Sequence, residues 1–529
     1  MQRQLPFLVL SVLLLAGCAS HHGEDMRAID SLRIETEDFL SAQAVMGYKN
    51  WVAGTPSNQD SLYRAHAGLF ARPAIDLVAR AREEEPDTLQ RRRLAFFQRF
   101  LTLQYLSRAA APLIDRSATY EGEARVVVGE DTILYRQLPA LMANEKSRAR
   151  REQLYMAADP VLDSLSHLAA ETQQIFHHKA QELGYPSYQA MIEELKGFSL
   201  ASVRELATKA LAESESLYFA LLTPLLRQAT GLQTSEAHRY DLPPLFRSPE
   251  FDRFFPGRET VASVRKTYRS LGIDLLAQRN LSLDTADRPA KSPRAACFAI
   301  DVPGDVRISI KPAGGVDDYA ALYHEMGHAQ QYAHVAEHAL EFKYLGEETL
   351  TETYAFLSEY LLCNPAWLRQ NSRLPVPLLK DYARQMALAR LYLVRRYCAK
   401  FLFEEAFHQG ARNPDSLYAA SLASALGYAV HPSDRRRSLV DMDAHFYSAS
   451  YLRAWFLEAQ LNHWLSGTYG VNWYENAGAG AYLASLWRQG DRPAAEDIAA
   501  AIGESTIDVG AWMAEIRDLV RLAAREDRP

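Results

Sequence analysis

Two histidines and a glutamate stand close together near the middle of the chain, in the segment His324-Glu325-Met326-Gly327-His328, which has the pattern H-E-x-x-H. Four residues make about one helical turn, so both imidazoles would project from one face and could hold a single Zn²⁺. Glu325 would stand beside the open position of the metal, where a carboxylate can take a proton from bound water as that water attacks a carbonyl. The spacing predicts a hydrolytic centre with one zinc per chain.

Such a site needs a third protein ligand, and one candidate lies on the same helix. His334 occupies the last position of the pattern H-E-x-x-H-x-x-G-x-x-H, but Gln331 stands where that pattern has glycine. The glycine turns the chain out of the helix so that the third histidine reaches the metal. We therefore expect His334 on another helix face. A site of the metzincin type that uses His334 is the alternative.

The other candidates are glutamates on a following helix. Leu345-Gly346 interrupts the chain, and Glu352 lies 24 residues after His328. Glu348 comes one helical turn before Glu352 and shares its face. Both carboxylates could approach the metal, one as a ligand and the other as a partner that orients a histidine.

The motif must be positioned by the elements that precede it. Two runs rich in strand-forming residues, ACFAIDV and DVRISIK, flank Pro303-Gly304. This pattern predicts a hairpin over 296–311, with Pro303 and Gly304 at the centre of a type II turn. A loop at 312–315 follows, and Asp317 or Asp318 is a suitable N-cap for the helix that carries the motif.

Residues 290–365 resemble zinc metallopeptidases of the thimet oligopeptidase type and, more distantly, angiotensin-converting enzyme. In those families the zinc-binding glutamate comes just before a small residue and an aromatic-apolar run, as Glu352 does in TETYAFLSEY. The resemblance implies Glu352 rather than Glu348 as the ligand, and Glu325 as the general base. It also implies an edge strand onto which the peptide substrate adds. That strand would contain the substrate-binding residues Ala296, Cys297, Phe298 and Ala299. A purely structural hairpin is the alternative.

The segment HFYSASYLRAW resembles the region in which a histidine and a tyrosine of these enzymes donate hydrogen bonds to the oxyanion. The resemblance implies Tyr451 and His445 as catalytic residues, with Tyr447 as a substrate-binding residue. Ala454 stands where the family has a second tyrosine. Asp443 lies where converting enzyme has the basic residue that binds the substrate's C-terminal carboxylate, so the resemblance does not extend to strict dipeptidyl carboxypeptidase action.

Amphipathic helical patterns recur along the chain and strand signals are few, which predicts a mainly α protein. The helical patterns lie at 90–113, 145–182, 203–211, 374–404 and 447–465. The family resemblance implies two lobes around a deep substrate channel, with a small β-hairpin or sheet beside the motif helix. We place the N-terminal helical lobe at 31–260 and the catalytic lobe at 261–529, divided near a stretch rich in proline and aromatic residues.

The N-terminus has the pattern of an export signal. Arg3 precedes an apolar run from Pro6 to Leu15, which is too short to span a bilayer as a mature helix. The run ends in Leu-Ala-Gly-Cys18, which resembles the bacterial lipobox. The resemblance implies a signal peptide at 1–17, lipidation of Cys18 and a tether at 18–30. It further implies a cell-envelope protein anchored in the outer membrane and facing the periplasm.

Composition limits the possible partners. The chain has 529 residues, of which 48% are hydrophobic and 23% charged, so it has ample material for a core. Its net charge of -7 provides no global positive field, which makes nucleic acid an unsuitable partner. The family resemblance implies a zinc peptidase that cleaves oligopeptides, and we expect it to be a monomer. A non-catalytic lipoprotein that keeps the fold to bind peptides or to assemble is the alternative, favoured by the altered tyrosine segment.

Overall fold

The computed structural model describes residues 7–524 and the side chains of residues 23–524. The expected signal peptide and the lipidation site Cys18 therefore lie outside the range over which side chains are described. Within the described part of the chain, no helix is both long enough and apolar enough to cross a membrane.

The first half of the described chain is built almost entirely of helices. They are α1 (Phe7–Ala53), α2 (Gln59–Ala65), α3 (Arg72–Glu84), α4 (Thr88–Glu123), α5 (Leu138–Asn144), α6 (Arg148–Ala157), α7 (Asp159–Glu182), α8 (Tyr188–Lys196), α9 (Leu200–Thr230), α10 (Pro243–Arg247) and α11 (Gly257–Ser270). A small antiparallel hairpin, β1 (Arg125–Val128) and β2 (Asp131–Leu134), separates α4 from α5. The helix predicted over 145–182 is divided into α6 and α7, because Pro160 in the first turn of α7 has no N–H to continue an earlier helix.

A sheet of three strands stands before the motif helix. Its strands are β3 (Leu281–Asp284), β4 (Ala296–Asp301) and β5 (Asp305–Ser309). The spatial order is β3-β5-β4, with β4 antiparallel and β3 parallel to β5. The predicted hairpin is confirmed, and β4 lies at the edge of the sheet. The third strand, β3, has no counterpart in the sequence-based prediction because its four residues carry too little pattern.

Two local predictions at this hairpin and at the start of the motif helix are wrong. Three residues separate the paired Asp301 and Asp305, the Val302–Pro303 bond is cis, and Gly304 lacks the positive φ that a type II turn requires. The next helix begins earlier than expected, with Gly315 rather than an aspartate as its N-cap. The carboxylate of Asp318 instead accepts a hydrogen bond from the Gly314 N–H at 2.7 Å.

The second half of the chain completes a mainly helical protein, as the sequence predicts. Its helices are α12 (Val316–His334), α13 (Leu340–Tyr344), α14 (Thr349–Glu359), α15 (Pro365–Asn371), α16 (Leu379–His408), α17 (Pro414–Leu426), α18 (Tyr447–Tyr469), α19 (Ala477–Trp487), α20 (Ala495–Ala501) and α21 (Gly510–Ala524). The motif lies on α12, and Glu352 lies on α14.

The largest hydrophobic cluster joins helices from both halves of the chain. It contains Leu222 of α9, Tyr323 of α12, Phe356 of α14 and Leu391 of α16. The elements that carry the motif are therefore packed into the main core, which fixes their relative positions. This core extends across the region near residue 260 where the lobe boundary is expected, and the division into two lobes stays a prediction.

Helix α1 is packed against the body of the protein, which differs from the expected tether over 18–30. Ile29 is fully buried in a second cluster formed with α3 and α4. Met26 and Leu32 lie against the same cluster, so the apolar residues of this segment recur at helical spacing. The sequence predicts a tether because the stretch SHHGEDMRAID is short and polar.

A buried ion-pair network also attaches α1 to α13, the short helix between the two halves of the motif region. The fully buried carboxylate of Glu341 accepts hydrogen bonds from Arg33 Nε at 2.7 Å and from Arg93 Nε at 3.0 Å. Nearer the surface, Lys343 of α13 pairs with Glu37 of α1 at 3.2 Å. The N-terminal helices thereby hold the connection between α12 and α14.

Candidate metal centre

Helices α12 and α14 approach each other closely at Gly327. A Cβ atom built on Gly327 would overlap the carbonyl oxygen of Tyr354 and the backbone of Ala355. Glycine is therefore required for this approach, because any side chain would push the two helices apart. The close contact brings the histidines of α12 within reach of the glutamate of α14.

Three side chains from these helices converge. His324 Nε2 lies 3.3 Å from His328 Nε2, and Glu352 Oε2 lies 3.4 Å from the first and 3.7 Å from the second. These three atoms form a group that could hold a metal ion. Glu352 is buried, and its Oε2 atom has no hydrogen-bond partner. An orphaned carboxylate oxygen facing two imidazole nitrogens fits a cation bound between them, since two nitrogens and one oxygen are a donor set that zinc accepts.

The opposite nitrogen of each histidine is held by a neighbouring side chain. His324 Nδ1 lies 2.9 Å from Glu359 Oε2, and His328 Nδ1 lies 2.7 Å from Thr351 Oγ1. Such contacts fix the ring orientation, so that both Nε2 atoms face the shared position. The phenyl ring of Phe356 packs edge-on against His324.

The electrostatics of the triad follow from burial and from the mutual attraction of its members. Burial lowers the pKa of His328. Burial acts in the same direction on His324, but the carboxylates of Glu352 and Glu359 raise the pKa of His324 well above its ordinary value. Burial alone would raise the pKa of Glu352, whereas the attraction of His328 and His324 and the hydrogen bond from Tyr447 lower it. Glu352 is thus held as a carboxylate, the form that binds a metal ion.

Glu325 lies beside the edge strand. Its Oε2 atom accepts a hydrogen bond from the backbone N–H of Cys297 at 2.7 Å. Burial, followed by the nearby charge of Glu325, raises the pKa of the Cys297 thiol well above its ordinary value, so this cysteine is an uncharged side chain. All the residues expected to bind substrate in the strand lie in β4: Ala296, Cys297, Phe298 and Ala299.

The far side of β4 is covered by α1. The ring of Phe298 packs against Tyr48 at 5.4 Å and against Trp51 at 6.3 Å between centroids. Phe298 is thus occupied by contacts within the protein. Cys297 and Ala299 alternate with Phe298 along the strand, and they pair with Ile308 and Val306 of the buried core.

Two tyrosines of α18 stand next to the triad in different ways. The hydroxyl of Tyr447 donates a hydrogen bond to Glu352 Oε1 at 2.6 Å. Tyr447 therefore contacts the candidate metal centre through Glu352. The ring of Tyr451 lies 4.9 Å from Tyr447 and 5.5 Å from Phe356. Among the described residues, none forms a hydrogen bond with the Tyr451 hydroxyl. Burial and the charge of Glu352 raise the pKa of Tyr451, which keeps this free hydroxyl protonated as a donor.

His445 is held away from the triad by other contacts. Its Nδ1 atom lies 2.8 Å from the hydroxyl of Tyr188, and its ring lies against Phe176. Burial, with a smaller effect of Lys196, lowers the pKa of His445 to about 4. The structure therefore provides a neutral, partly buried histidine at the position where the family resemblance implies an oxyanion donor, and its contacts are to α7 and α8.

The two alternative third ligands are both engaged elsewhere. Glu348 forms an ion pair with Lys196 at 2.8 Å and accepts a hydrogen bond from Ser450 at 3.2 Å. Burial would raise the pKa of Glu348, but Lys196 and Arg99 lower it to about 2. His334 Nδ1 contacts the Gln330 carbonyl oxygen at 2.9 Å at the end of α12. Neither residue belongs to the triad.

Sequence reasoning missed Glu359 and Thr351, the two residues that orient the histidines. Glu359 follows Glu352 by seven residues, or about two helical turns, so the same spacing argument that joined Glu348 to Glu352 would have found it. Thr351 carries no comparable signal.

The cysteines at 297, 363 and 398 are all free.

No protein-family model and no curated protein match this chain. The geometry of the triad, of Glu325 and of the neighbouring strand and tyrosines therefore carries the functional conclusion.

Proposed function

We propose that this protein is a zinc-dependent metallopeptidase that hydrolyses peptide bonds of oligopeptides. The observation that carries this proposal is the orphaned Oε2 of Glu352, which faces the Nε2 atoms of His324 and His328 with Glu325 on the next residue of the same helix. His324, His328 and Glu352 would hold the ion. When bound, zinc would supply the lowered pKa of a water molecule and the polarisation of the substrate carbonyl.

Glu325 would act as the general base. Its carboxylate is held by the Cys297 N–H, which leaves its other oxygen free to take a proton from the attacking water. Tyr451 would donate its free hydroxyl to the carbonyl oxygen as negative charge grows there. Its packing against Tyr447, Phe356 and Tyr397 holds the ring in place, which is the preorganisation that such a donor needs.

The edge strand supports a peptide as the substrate. An extended peptide can add to a free strand edge through backbone hydrogen bonds, and β4 is an edge strand in direct contact with Glu325. Backbone recognition of this kind accepts many sequences. The expected pair of lobes around a channel would restrict the substrates to oligopeptides and exclude folded proteins.

The proposed location in the cell rests on the resemblance of the N-terminal sequence to a bacterial lipobox. We propose that residue 18 is the lipidated first residue of the mature protein, anchored in the outer membrane and facing the periplasm. Replacement of Cys18 by serine should abolish metabolic labelling with palmitate. Labelling that persists in the Cys18→Ser variant would contradict the anchor.

A digestion experiment tests the peptidase activity. The purified protein, loaded with zinc, is incubated with a peptide library, and the products are identified by mass spectrometry beside those of Glu325→Gln. We expect cleavage by the wild type and its loss in the variant, with equal zinc content in both.

Bound zinc without any cleavage would select the alternative, a peptide-binding lipoprotein. That alternative is favoured by Ala454, a fully buried residue with no donor where the resemblance places a second tyrosine.

A further inference from the structure

The two oxygens of the Glu352 carboxylate have different surroundings. Oε1 accepts a hydrogen bond from the Tyr447 hydroxyl at 2.6 Å. Oε2 lies 3.4 Å and 3.7 Å from the two histidine Nε2 atoms and has no hydrogen-bond partner. Glu352 is 3% exposed, so bulk water does not provide a hydrogen-bond partner to either oxygen. The protein thus supplies a donor to one oxygen and leaves the other for a cation.

We propose that Tyr447 is a positioning residue that makes Glu352 a one-oxygen ligand of the metal. This inference rests on the proposed metal centre. A carboxylate can bind a metal through one oxygen or through both, and the second mode occupies an additional coordination position. Catalytic zinc sites use three protein ligands and keep the fourth position for water or substrate. A hydroxyl that holds Oε1 keeps that position open.

Tyr447 is fixed in this place by an unusual turn. His445 and Phe446 have φ values of 55° and 53°, in the left-handed region that residues other than glycine rarely adopt. Phe446 is fully buried, and His445 contacts the hydroxyl of Tyr188 at 2.8 Å. The turn ends at Tyr447, the first residue of α18, and therefore sets where its side chain begins.

The same helix offers a matched control. Tyr451 lies one turn after Tyr447, and the two rings are in contact at 4.9 Å between centroids. Its hydroxyl is not bonded to Glu352. The substitution Tyr451→Phe removes the same atom from the same aromatic group without touching the carboxylate, so the two variants separate a positioning role from a general loss of hydroxyls near the metal.

The test is spectroscopic and needs no turnover. The full chain is stripped of metal and loaded with Co²⁺, whose visible absorption weakens as its coordination number rises above four. We expect Tyr447→Phe to show a weaker spectrum and a Co²⁺ dissociation constant raised by about 10- to 100-fold in chelator competition. Tyr451→Phe should match the wild type in both measurements. A Tyr447→Phe spectrum and dissociation constant equal to those of the wild type would overturn the proposal.

A second variant covers the case in which Tyr447→Phe does not fold. Tyr188→Phe leaves both α18 tyrosines in place but removes the hydroxyl that contacts His445 in the turn. Its spectrum should shift in the same direction by a smaller amount, and an unchanged spectrum would count against the proposal. A wild-type protein that binds Co²⁺ but cleaves no peptide would overturn the proposed function alone. A wild-type protein that binds no Co²⁺ would overturn both.

Discussion

The backbone N–H of Cys297 donates a hydrogen bond to the carboxylate of Glu325 at 2.7 Å, which joins the edge strand directly to the proposed base. This N–H therefore points away from β5 and lies at the free edge of the sheet. A peptide that adds to β4 at this point must accept the N–H in place of Glu325 or leave the contact intact and bind further along. In the first case Glu325 is released from the strand, and in the second case the strand keeps holding it.

The first prediction concerns Glu325 itself. Glu325→Gln should keep the fold, because an amide oxygen can still accept the Cys297 N–H, and it should keep the metal because the triad is unchanged. Peptide hydrolysis should fall by about 100- to 10,000-fold, since the variant has no base. Activity and metal content are measured on the same preparation. A variant that cleaves peptides within a few-fold of the wild type would exclude Glu325 as the base.

Glu352 and Glu348 should differ in their effect on metal binding. Glu352→Ala removes one of the three converging atoms and should cause severe loss of zinc, measured by metal analysis after dialysis. Glu348→Ala should retain zinc and lower the melting temperature, because Glu348 is paired with the buried Lys196. If Glu348→Ala loses the metal and Glu352→Ala retains it, the ligand assignment is reversed.

Tyr451 should affect the chemical step and not substrate binding. Its hydroxyl would engage the carbonyl oxygen only as charge develops, so Tyr451→Phe should lower kcat by about 100- to 1,000-fold with little change in KM. Steady-state kinetics on a cleaved peptide provide both constants. If His445→Ala abolishes activity while Tyr451→Phe does not, the oxyanion donor is His445, despite its contact with Tyr188.

A buried histidine should make stability depend on pH. Burial, with the nearby His177 and His445, lowers the pKa of His408 from 6.5 to about 3. The unfolded chain takes up this proton below about pH 6.5 and the folded protein does not, so stability falls as the pH decreases through this range and continues to fall until about pH 3. At pH 5 this single histidine should cost about 2 kcal/mol relative to neutral pH.

Urea unfolding of chelator-treated protein at pH 7 and pH 5 measures this effect without a contribution from metal loss. His408→Gln has no titrating group at this position, so its stability should change less between the two pH values than that of the wild type. The contribution of His445 is common to both proteins and cancels in the comparison. Equal changes in the two proteins would show that folding does not lower the pKa of His408.

The ion pairs between α1 and α13 should differ in strength according to their burial. Glu341→Ala leaves the guanidinium of Arg33 buried without its main partner and should lower the free energy of unfolding by about 3 to 5 kcal/mol. Lys343→Ala breaks the pair with the partly exposed Glu37 and should cost less than about 1 kcal/mol. Denaturant unfolding of both variants provides the comparison. Similar losses would mean that the buried network contributes no more than the surface pair.

The two histidines could be predicted from local spacing, because His324 and His328 are one helical turn apart. Spacing alone left Glu348 and Glu352 both open as the third ligand, and the family resemblance implied Glu352, which lies in the first turn of α14. The hairpin was also predictable from a local pattern. Its turn type was not, because Gly304 could adopt either sign of φ, and only the three-residue separation of the paired aspartates decided it.

Contacts between distant segments could not be predicted from spacing. The role of Tyr447 depends on the left-handed conformation of His445 and Phe446, which the sequence does not signal because neither residue favours it. The packing of α1 depends on Glu341, more than 300 residues away along the chain. Arg33 follows the polar stretch SHHGEDMRAID by three residues, and nothing in this part of the sequence indicates a buried partner so far along the chain.

The close contact at Gly327 has a consequence for how the motif tolerates change. The pattern H-E-x-x-H leaves two positions unspecified, here Met326 and Gly327, but only one of them is free in this protein. Met326 lies in the apolar core, where leucine is a replacement of similar volume. At 327 even alanine would collide with the backbone of α14. A complete scan of both positions should therefore recover several apolar residues at 326 and glycine alone at 327, so that an apparently open motif position contains as strict a requirement as the histidines beside it.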